Sequence, residues 1–297
     1  MKKEALGTTF AIIAALISGF SIPLNKIFIV SMDPMVFTSI RLVIIGAAFF
    51  LISRFRKEKI KKVNLKYLAL IAIIGGAFAF LLFFDGLKLT TSGRAAFLQK
   101  TMPIYILVLA FVFLKEKITK KHVFSILLML AGSAVIYFSQ ITPSQLWSNP
   151  SLGDMMVIGA TILWAIENVL SRKAMLNKES NFIVTFVRMF FGGLVIFSLV
   201  LLMGKYEVLL SLSFQQMANI GISTVVLFGY VLFWYWSLKM INVSKASILL
   251  LISPVISLAV GALLLSEPVP ALQLAGSALI LIGAYVVSKV RSEFQTI

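Results

Sequence analysis

Charged side chains inside apolar stretches are the residues of this chain best suited to chemistry. Four of them, Arg41, Lys100, Glu167 and Arg188, stand well inside runs of about twenty mostly apolar residues. A charged group at the depth of a bilayer is costly, so such residues usually face a polar cavity or each other and mark substrate or ion pathways. We therefore treat these four residues as the first candidates for a functional site.

Glu167 is the only acid in this set, and it has polar neighbours. Asn168 follows it, and Trp164 lies about one turn earlier on the same face of a helix. Because desolvation disfavours the charged form of a carboxyl group, Glu167 should either pair with a cation or take up a proton. The candidate cations are Lys100 and Arg188, and an ion pair with either would hold helices together.

Arg41 and Arg188 stand at matching depths of two apolar runs. Arg41 follows Pro34 by seven residues, which is about 10 Å along a helix that rises 1.5 Å per residue. This symmetric placement favours a structural role, such as capping the C-terminal end of a neighbouring helix or pairing with an acid. Contact with a substrate is the alternative.

The elements that position these residues occur twice, because the stretch Leu87–Val135 is repeated. Leu87 aligns with Leu238 at an offset of 151 residues. Without a gap, the alignment then pairs Arg94 with Lys245, Pro103 with Pro254, Glu116 with Glu267 and Gly132 with Gly283. Earlier positions match at slightly shorter offsets, of 147 for Arg41 and Arg188 and 146 for Leu6 and Leu152. We predict two copies of one unit, residues 1–146 and 147–297, which form one membrane domain.

Gln99 and Lys100 differ between the copies, since the second copy has two leucines at these positions. Polarity at only one of two duplicated sites favours a substrate-binding role, although Lys100 could instead snorkel to the membrane surface. Pro103 follows them and removes a backbone hydrogen bond, which can free a carbonyl group for a ligand or create a hinge. Pro254 is the corresponding candidate hinge in the second copy.

The composition is that of a membrane protein. Hydrophobic residues make up 60% of the chain, charged residues 13%, and the mean hydropathy is +1.02, whereas about a quarter of a soluble domain is charged. The chain has no cysteine and one histidine, so we predict no metal and no cofactor. The net charge of +16 does not predict nucleic-acid binding, because no soluble stretch is long enough to form a basic face.

Ten apolar runs are long enough to cross about 30 Å of hydrocarbon. We predict spans near residues 6–28, 34–53, 67–86, 94–114, 121–138, 153–174, 182–203, 214–236, 245–265 and 270–289. With the N-terminus inside, inner segments hold twenty Lys and Arg residues and outer segments four. This bias predicts a multi-pass protein of the inner cell membrane with both termini in the cytoplasm.

Five spans per copy is an odd number, so the second copy must enter the membrane from the opposite side. The predicted fold is therefore an all-α polytopic membrane protein of ten transmembrane helices, arranged as two inverted five-helix repeats. Inverted repeats allow a carrier to expose one site at the bilayer midplane to each face in turn. The loop Arg54–Lys66 holds seven basic residues and one Glu, which favours contact with anionic lipid, with a regulatory partner as the alternative.

Written as a pattern, the repeated stretch is L-K-x5-R/K-A-x2-L-x4-P-x12-E-x15-G, and it resembles the EamA unit of the drug/metabolite transporter superfamily. The resemblance implies a central cavity lined by spans 1–4 and 6–9, with spans 5 and 10 at the periphery. It also implies secondary transport, commonly export of amino acids or related metabolites. The small multidrug-resistance branch carries its working Glu in a first span, to which the sixth span corresponds, so Glu167 could couple transport to protons.

Several further residues have predicted places. Glu116 and Glu267 stand near span ends and should be structural, accepting hydrogen bonds from the backbone or pairing with lysine. Phe84 and Tyr230 could line the cavity. The run Trp234–Trp236 should form an aromatic belt at the inner membrane surface. The glycines should permit close helix contact, and the group consists of Gly46, Gly75, Gly76, Gly192 and Gly193.

The function that these features favour is transport. No H-E-x-x-H, G-x-S-x-G or G-x4-G-K-[ST] motif occurs, which argues against an enzyme and against a primary pump. Proline-broken inverted repeats suit a carrier better than a channel. Arg41, Lys100 and Arg188 outnumber Glu167 by two charges, so we predict a permease, acting as a monomer or weak dimer, that exports amino acids or similar amphipathic small molecules. Import or exchange of an anionic carboxylate or phosphate metabolite is the alternative.

Overall fold

The fold is helical throughout the part of the chain that this computed structural model describes, namely residues 2–139, 151–265 and 269–292, where no β-strand occurs. Ten helices within these ranges are long and apolar enough to cross a membrane, close to the predicted positions. Spans 1 to 10 are, in order, Lys2–Ile29, Pro34–Phe55, Lys62–Leu89, Gly93–Leu114, Lys120–Phe138, Leu152–Leu176, Asn181–Leu202, Phe214–Met240, Val243–Val260 and Ala271–Ser288. The predicted all-α membrane fold is confirmed.

Matching spans of the two copies begin with matching caps. The side chain of Asp33 accepts hydrogen bonds from the backbone N–H groups of Met35, at 2.9 Å, and Val36, at 3.2 Å, at the start of span 2. Ser180 accepts one from Phe182, at 3.1 Å, at the start of span 7. Such side-chain oxygens satisfy N–H groups that have no partner within the helix, so the local sequence fixes where each span starts.

Two matching spans are broken at matching places. Span 4 is formed by the helices Ser92–Gln99 and Met102–Leu109. Span 9 is formed by the helix Val243–Leu249, a 3₁₀ turn at Leu250–Ile252 and the first part of the helix Ser253–Leu265. In both spans the helix that follows the break has a proline as its second residue, and proline has no N–H to continue a preceding helix. Span 3 contains a π-helical segment, Ile71–Phe78, and such wide turns are frequent at functional sites.

Close helix contacts show how the two copies are related. Gly46 packs on the backbone of Phe190, and Gly193 packs on the backbone of Val43. The offset of 147 residues converts one contact into the other, because Gly46 aligns with Gly193 and Val43 aligns with Phe190. Contacts that are exchanged in this way require a two-fold axis between the copies. Because each copy has five spans, that axis lies in the membrane plane and the repeats are inverted, as predicted.

A second pair of equivalent contacts fixes the register of the copies. The ammonium group of Lys26 donates to the carbonyl oxygen of Leu87 at 2.6 Å, and Nη1 of Arg172 donates to that of Leu238 at 2.6 Å. The donors are 146 residues apart and the acceptors 151, the offsets found in the sequence. Spans 1 and 6 are therefore equivalent residue by residue near these contacts.

The predicted role of glycine in helix packing is confirmed at the centre of the protein. A methyl group on Gly75 would collide with the side chain of Glu167, and one on Gly76 would collide with the carbonyl oxygen of Arg188 and approach Gly192. Spans 3, 6 and 7 therefore meet at backbone distance. This close approach brings Glu167 and Arg188 to one level.

Candidate functional site

A cavity lies between the two copies near the middle of the spans. Its volume is about 90 Å³. Its described lining comes from spans 1–4 and 6–9. Spans 5 and 10 pack on each other through Gly132 and Gly276. This is the arrangement that the family resemblance implied.

Aromatic side chains form much of the cavity wall, and they include the predicted Phe84 and Tyr230. The aromatic lining residues are Phe80, Phe83, Phe84, Trp164, Tyr230 and Trp234. The indole N–H of Trp164 donates to the carbonyl oxygen of Gly75, at 3.3 Å, within the π-helical segment. The indole N–H of Trp234 donates to the side-chain oxygen of Asn168, at 2.7 Å. With their polar edges held in this way, both rings offer apolar faces to a ligand.

Arg41 lies in the cavity wall and is only 1% exposed. Its guanidinium carbon lies 4.4 Å from the ring centre of Phe37 and 5.3 Å from that of Phe84. Its Nη2 lies 3.5 Å from the carbonyl oxygen of Ser223, and its Nε and Nη1 have no hydrogen-bond partner. No acidic group of the described residues pairs with Arg41, so its charge faces two aromatic rings and one distant carbonyl oxygen.

Gln99 and Lys100 line the same cavity at the break of span 4. Lys100 is 7% exposed, and its ammonium group has no hydrogen bond or ion pair with a described residue. Pro103, also in the lining, supplies no N–H to the carbonyl oxygen of Gln99 four residues earlier. Its counterpart Pro254 is half-buried and is not among the described lining residues. Among the described lining residues, polar groups therefore lie at the first break but not at the second.

Glu167 is completely buried beside the cavity in a network of hydrogen bonds. Its Oε2 lies 3.3 Å from Nη2 of Arg188, while its Oε1 accepts hydrogen bonds from the hydroxyls of Tyr235, at 2.6 Å, and Ser171, at 2.5 Å. The Tyr235 oxygen in turn accepts one from Nη1 of Arg188, at 3.0 Å. Of the two cations considered for Glu167, the structure therefore places Arg188 beside it. A buried ion pair with such additional hydrogen bonds can persist inside a membrane domain.

Tyr235 and Trp234 are site residues that the sequence reasoning missed. The prediction placed them in an aromatic belt at the membrane surface, which is wrong, because each is only 1% exposed and both bond to groups at the site. The repeat offset of 151 residues sets them on Phe83 and Phe84. Since Phe84 was a candidate lining residue, this alignment was the signal that could have found them.

Glu116 joins the two copies at a helix start. Its carboxylate accepts hydrogen bonds from the N–H groups of Val243, at 3.0 Å, and Ser244, at 3.2 Å, and from the Ser244 hydroxyl, at 2.5 Å. A carboxylate at this position caps the helix and suits its dipole. Glu267 lies outside the described residues. No cluster of three potential metal ligands occurs in the described part of the chain.

Polar bridges join the copies at both membrane faces. At the predicted outer face, Lys205 lies 2.8 Å from a carboxylate oxygen of Asp33. Although burial raises the pKa of Asp33, donation from Lys205 and from backbone N–H groups outweighs it and lowers that pKa. At the opposite face, Glu179 accepts hydrogen bonds from the backbone N–H of Lys61, at 3.1 Å, and the side chain of Asn64, at 2.9 Å.

Further bridges accompany these two. At the predicted outer face, Asp154 of the second copy pairs with Arg94 and accepts a hydrogen bond from the Thr90 hydroxyl, at 2.6 Å, both of the first. At the other face, Lys245 lies 3.1 Å from Glu4. Polar contacts therefore join the two copies at each face, and a face can open only if its contacts break.

Comparison with known proteins supports this architecture. The EamA-like transporter family matches residues 5–138 and 151–289, one match in each copy. An uncharacterized transporter of Archaeoglobus fulgidus is 30% identical over 88% of this chain and 90% of its own, and the uncharacterized transporter YoaV of Bacillus subtilis is 27% identical over 96% of both. A probable amino-acid metabolite efflux pump of Salmonella typhimurium is 25% identical over 93% of this chain and 92% of its own.

The fold also has a counterpart among solved structures. A crystal structure of a protein with 19% identity covers 95% of this chain and 96% of its own, with a TM-score of 0.70. This likeness concerns the fold alone. The two family matches, the ten membrane-length helices and the cavity between inverted repeats lead to one conclusion: this multi-pass membrane protein belongs to the EamA-like transporter family.

Proposed function

We propose that this transporter is a secondary-active carrier that moves a small metabolite with a carboxylate or similar anionic group through the central cavity by alternating access. One observation carries the proposal: Arg41 and Lys100 both line the cavity, and neither has an acidic partner among the described residues. A buried charge without a partner is strongly unfavourable, so an anionic ligand that neutralises it binds with a large gain.

The rest of the cavity suits the apolar part of such a metabolite. Six aromatic side chains line it, and a binding site of this kind combines apolar walls with few polar groups that fix orientation. Glu167 is held by Arg188, so it is not free to bind the ammonium group of an amino acid. Aromatic faces such as those of Tyr230 and Trp234 can attract that ammonium group instead. The lining is therefore chemically suited to both amino acids and deaminated carboxylates.

We infer export as the direction of transport. The name of the Salmonella typhimurium relative, a probable amino-acid metabolite efflux pump, supports this direction. Rocking of the two copies about the broken spans 4 and 9 would open each face in turn, releasing the bridges Asp33–Lys205 and Glu179–Asn64 alternately. Import or exchange of an anionic metabolite remains the second candidate, favoured by the excess of cations in the cavity wall.

We also propose that Glu167 couples transport to protons. Protonation of its carboxylate would break the ion pair with Arg188 and leave the arginine charge available in the cavity wall, where Arg188 also lies. A proton and an anionic substrate would then favour the same state of the carrier and move in the same direction. Coupling of this kind drives export where the proton gradient is directed outward, and under an inward gradient it drives import, the second candidate.

The placement in the cell follows from charge. We propose that the protein is a monomer or weak dimer of the inner cell membrane with cytoplasmic termini. The loop Arg54–Lys66 then faces anionic lipid, since its basic side chains are mostly exposed.

A thermal-unfolding screen of the purified full-length protein in detergent tests the proposed substrate class. The ligands are amino acids, the carboxylates left when their amino groups are removed and the amines left when their carboxyl groups are removed. L-Leucine, 4-methylpentanoate and 3-methylbutylamine form one such matched set. A ligand that binds the folded state selectively stabilises it, by ~2.7 kcal/mol at a hundred times its Kd.

We expect stabilisation by carboxylates and amino acids but not by amines. Stabilisation by amines alone, or by no carboxylate in the panel, would refute the anion-binding function. Uptake into liposomes of any carboxylate that stabilises the protein then tests whether binding leads to transport.

A further inference from the structure

The two copies carry equivalent sites, of which one is filled by the chain itself. Resting on the proposed function, we propose that the anionic group of the substrate binds Arg41 beside Ser21, in the place that the carboxylate of Glu167 takes beside Arg188 in the other copy.

The equivalence of the two sites follows from the register of the spans. Arg41 and Arg188 are 147 residues apart, and Ser21 and Glu167 are 146 apart. The matching carbonyl contacts of Lys26 and Arg172 establish the offset of 146 in the same two spans, five residues beyond Ser21 and Glu167. The alignment near the site therefore has structural support as well as sequence support.

The second copy shows what an arginine at this position binds. Arg188 contacts the carboxylate of Glu167 and the hydroxyl of Tyr235, and Ser171 donates to the same carboxylate. The described cavity lining does not include Glu167, Tyr235 or Ser171. The anion site of the second copy is therefore occupied by the protein's own carboxylate.

The first copy offers the cation without the carboxylate. Ser21 replaces Glu167, Asn25 replaces Ser171 and Phe84 replaces Tyr235, each at its repeat offset. In contrast to the second copy, these three residues and Arg41 all line the cavity. Removing a carboxylate side chain from one of two duplicated sites, while keeping its arginine, leaves an anion site open to the cavity.

The polar groups at this site are suited to an anion. Nε and Nη1 of Arg41 have no hydrogen-bond partner. The side-chain oxygen of Asn25 accepts a hydrogen bond from Ser223, and the amide nitrogen of Asn25 makes none with a described residue, so it can donate to a ligand. The Ser21 hydroxyl donates to the carbonyl oxygen of Ser18 at 3.1 Å and can rotate towards a ligand. Carboxylates and phosphates are the groups that such planar and amide donors recognise.

The test restores the missing carboxylate. Ser21→Glu should pair with Arg41 as Glu167 pairs with Arg188, and thereby fill the site from within. With 4-methylpentanoate as the probe, we expect Ser21→Glu and Arg41→Gln each to raise Kd about 10-fold or more. Ser21→Gln fills the same space without the charge, so it should raise Kd less than Ser21→Glu does, and the difference between the two variants measures the part that is due to the new carboxylate.

A second measurement needs no ligand. Ser21→Glu should raise the midpoint of thermal unfolding when Arg41 is present and lower it when combined with Arg41→Gln, because only the first background offers the new carboxylate a cation. If Ser21→Glu instead lowers the midpoint equally in both backgrounds, the proposed pairing is refuted.

The outcomes also separate this inference from the proposed function. If 4-methylpentanoate stabilises the wild type and Ser21→Glu with the same Kd, carboxylate binding stands and its placement at Ser21 and Arg41 is wrong. If no carboxylate stabilises the wild type, the proposed anion-binding function fails and the placement fails with it.

Discussion

Replacing Glu167 by glutamine tests both proposed consequences of its buried ion pair. The substitution keeps the shape of the side chain and an oxygen that can accept from Tyr235 and Ser171, but it removes the charge that faces Arg188. At the observed 3.3 Å, two unit charges interact by about 5 kcal/mol at an effective dielectric constant of ~20. Breaking one partner of a buried pair typically costs ~3–5 kcal/mol, since the other charge remains buried.

We therefore expect Glu167→Gln to lower the free energy of unfolding by about 3–5 kcal/mol. Denaturant unfolding followed by tryptophan fluorescence measures this change, since Trp164 lies one turn from the substituted residue. The double variant Glu167→Gln/Arg188→Gln should be less destabilised than the sum of the two single variants, because neither charge is left alone. Additive effects would show that the two side chains do not interact as their geometry indicates.

Liposome assays test the coupling role. Glu167→Gln should abolish uptake driven by a pH gradient while leaving equilibrium exchange of substrate, because the variant has no carboxylate to protonate. Glu116→Gln is the matched control, since its carboxylate is also buried but caps span 9 away from the described cavity lining. It should lose about 1 kcal/mol of stability and keep its response to the gradient. Normal driven uptake by Glu167→Gln would refute proton coupling through this residue.

Three further predictions address the cavity, the helix contacts and the outer face. Lys100→Met should raise the Kd of a carboxylate ligand about 10-fold in the thermal-unfolding screen, and unchanged binding would show that Lys100 does not contact the substrate. Gly76→Ala should lower the free energy of unfolding by ~1–3 kcal/mol, whereas Gly221→Ala, which has open space around it, should not lower it; equal effects would contradict the close packing. Asp33 has a lowered pKa in the folded protein, so its bridge to Lys205 stabilises fully above the unfolded pKa of ~3.9, and this contribution is lost as the pH falls through the folded value. The free energy of unfolding, measured between pH 6 and pH 3, reports this loss of stability. Asp33→Asn should lose less stability over that range, and an identical pH dependence in this variant would refute the contribution of the bridge.

Much of the fold could be predicted from the sequence because the bilayer limits the possible structures. Span length and apolar composition are set by the thickness of the hydrocarbon layer, so ten spans could be counted directly. The inverted relation followed from the odd number of spans in each copy, and the breaks followed from Pro103 and Pro254. These features depend on local sequence and on counting, and neither needs knowledge of side-chain packing.

Side-chain contacts between spans could not be predicted in the same way. Tyr235 lies near the end of its span, where aromatic residues commonly reach the membrane surface, yet it is bonded to Glu167 and Arg188. The direction in which its side chain points depends on how span 8 is rotated against spans 6 and 7, and hydropathy does not record that rotation. The pairing of Arg94 with Asp154 was missed for the same reason, since its two residues belong to different copies.

The two-fold relation between the copies has a consequence for the resting state of the proposed alternating-access carrier. Were the halves identical in sequence, the two-fold rotation would convert the state open to one side into the state open to the other, the two states would have equal free energy, and neither would be preferred. Any preference must therefore arise where the halves differ, as at the charge pair of Asp33 with Lys205 and its counterpart at the offset of 147 residues, the hydrogen bond that the Ser180 hydroxyl donates to Glu58. Each 1.4 kcal/mol by which such contacts differ in free energy between the two faces changes the ratio of the two states about tenfold. Divergence of a few residues at the faces can therefore set which side of the membrane the empty carrier faces.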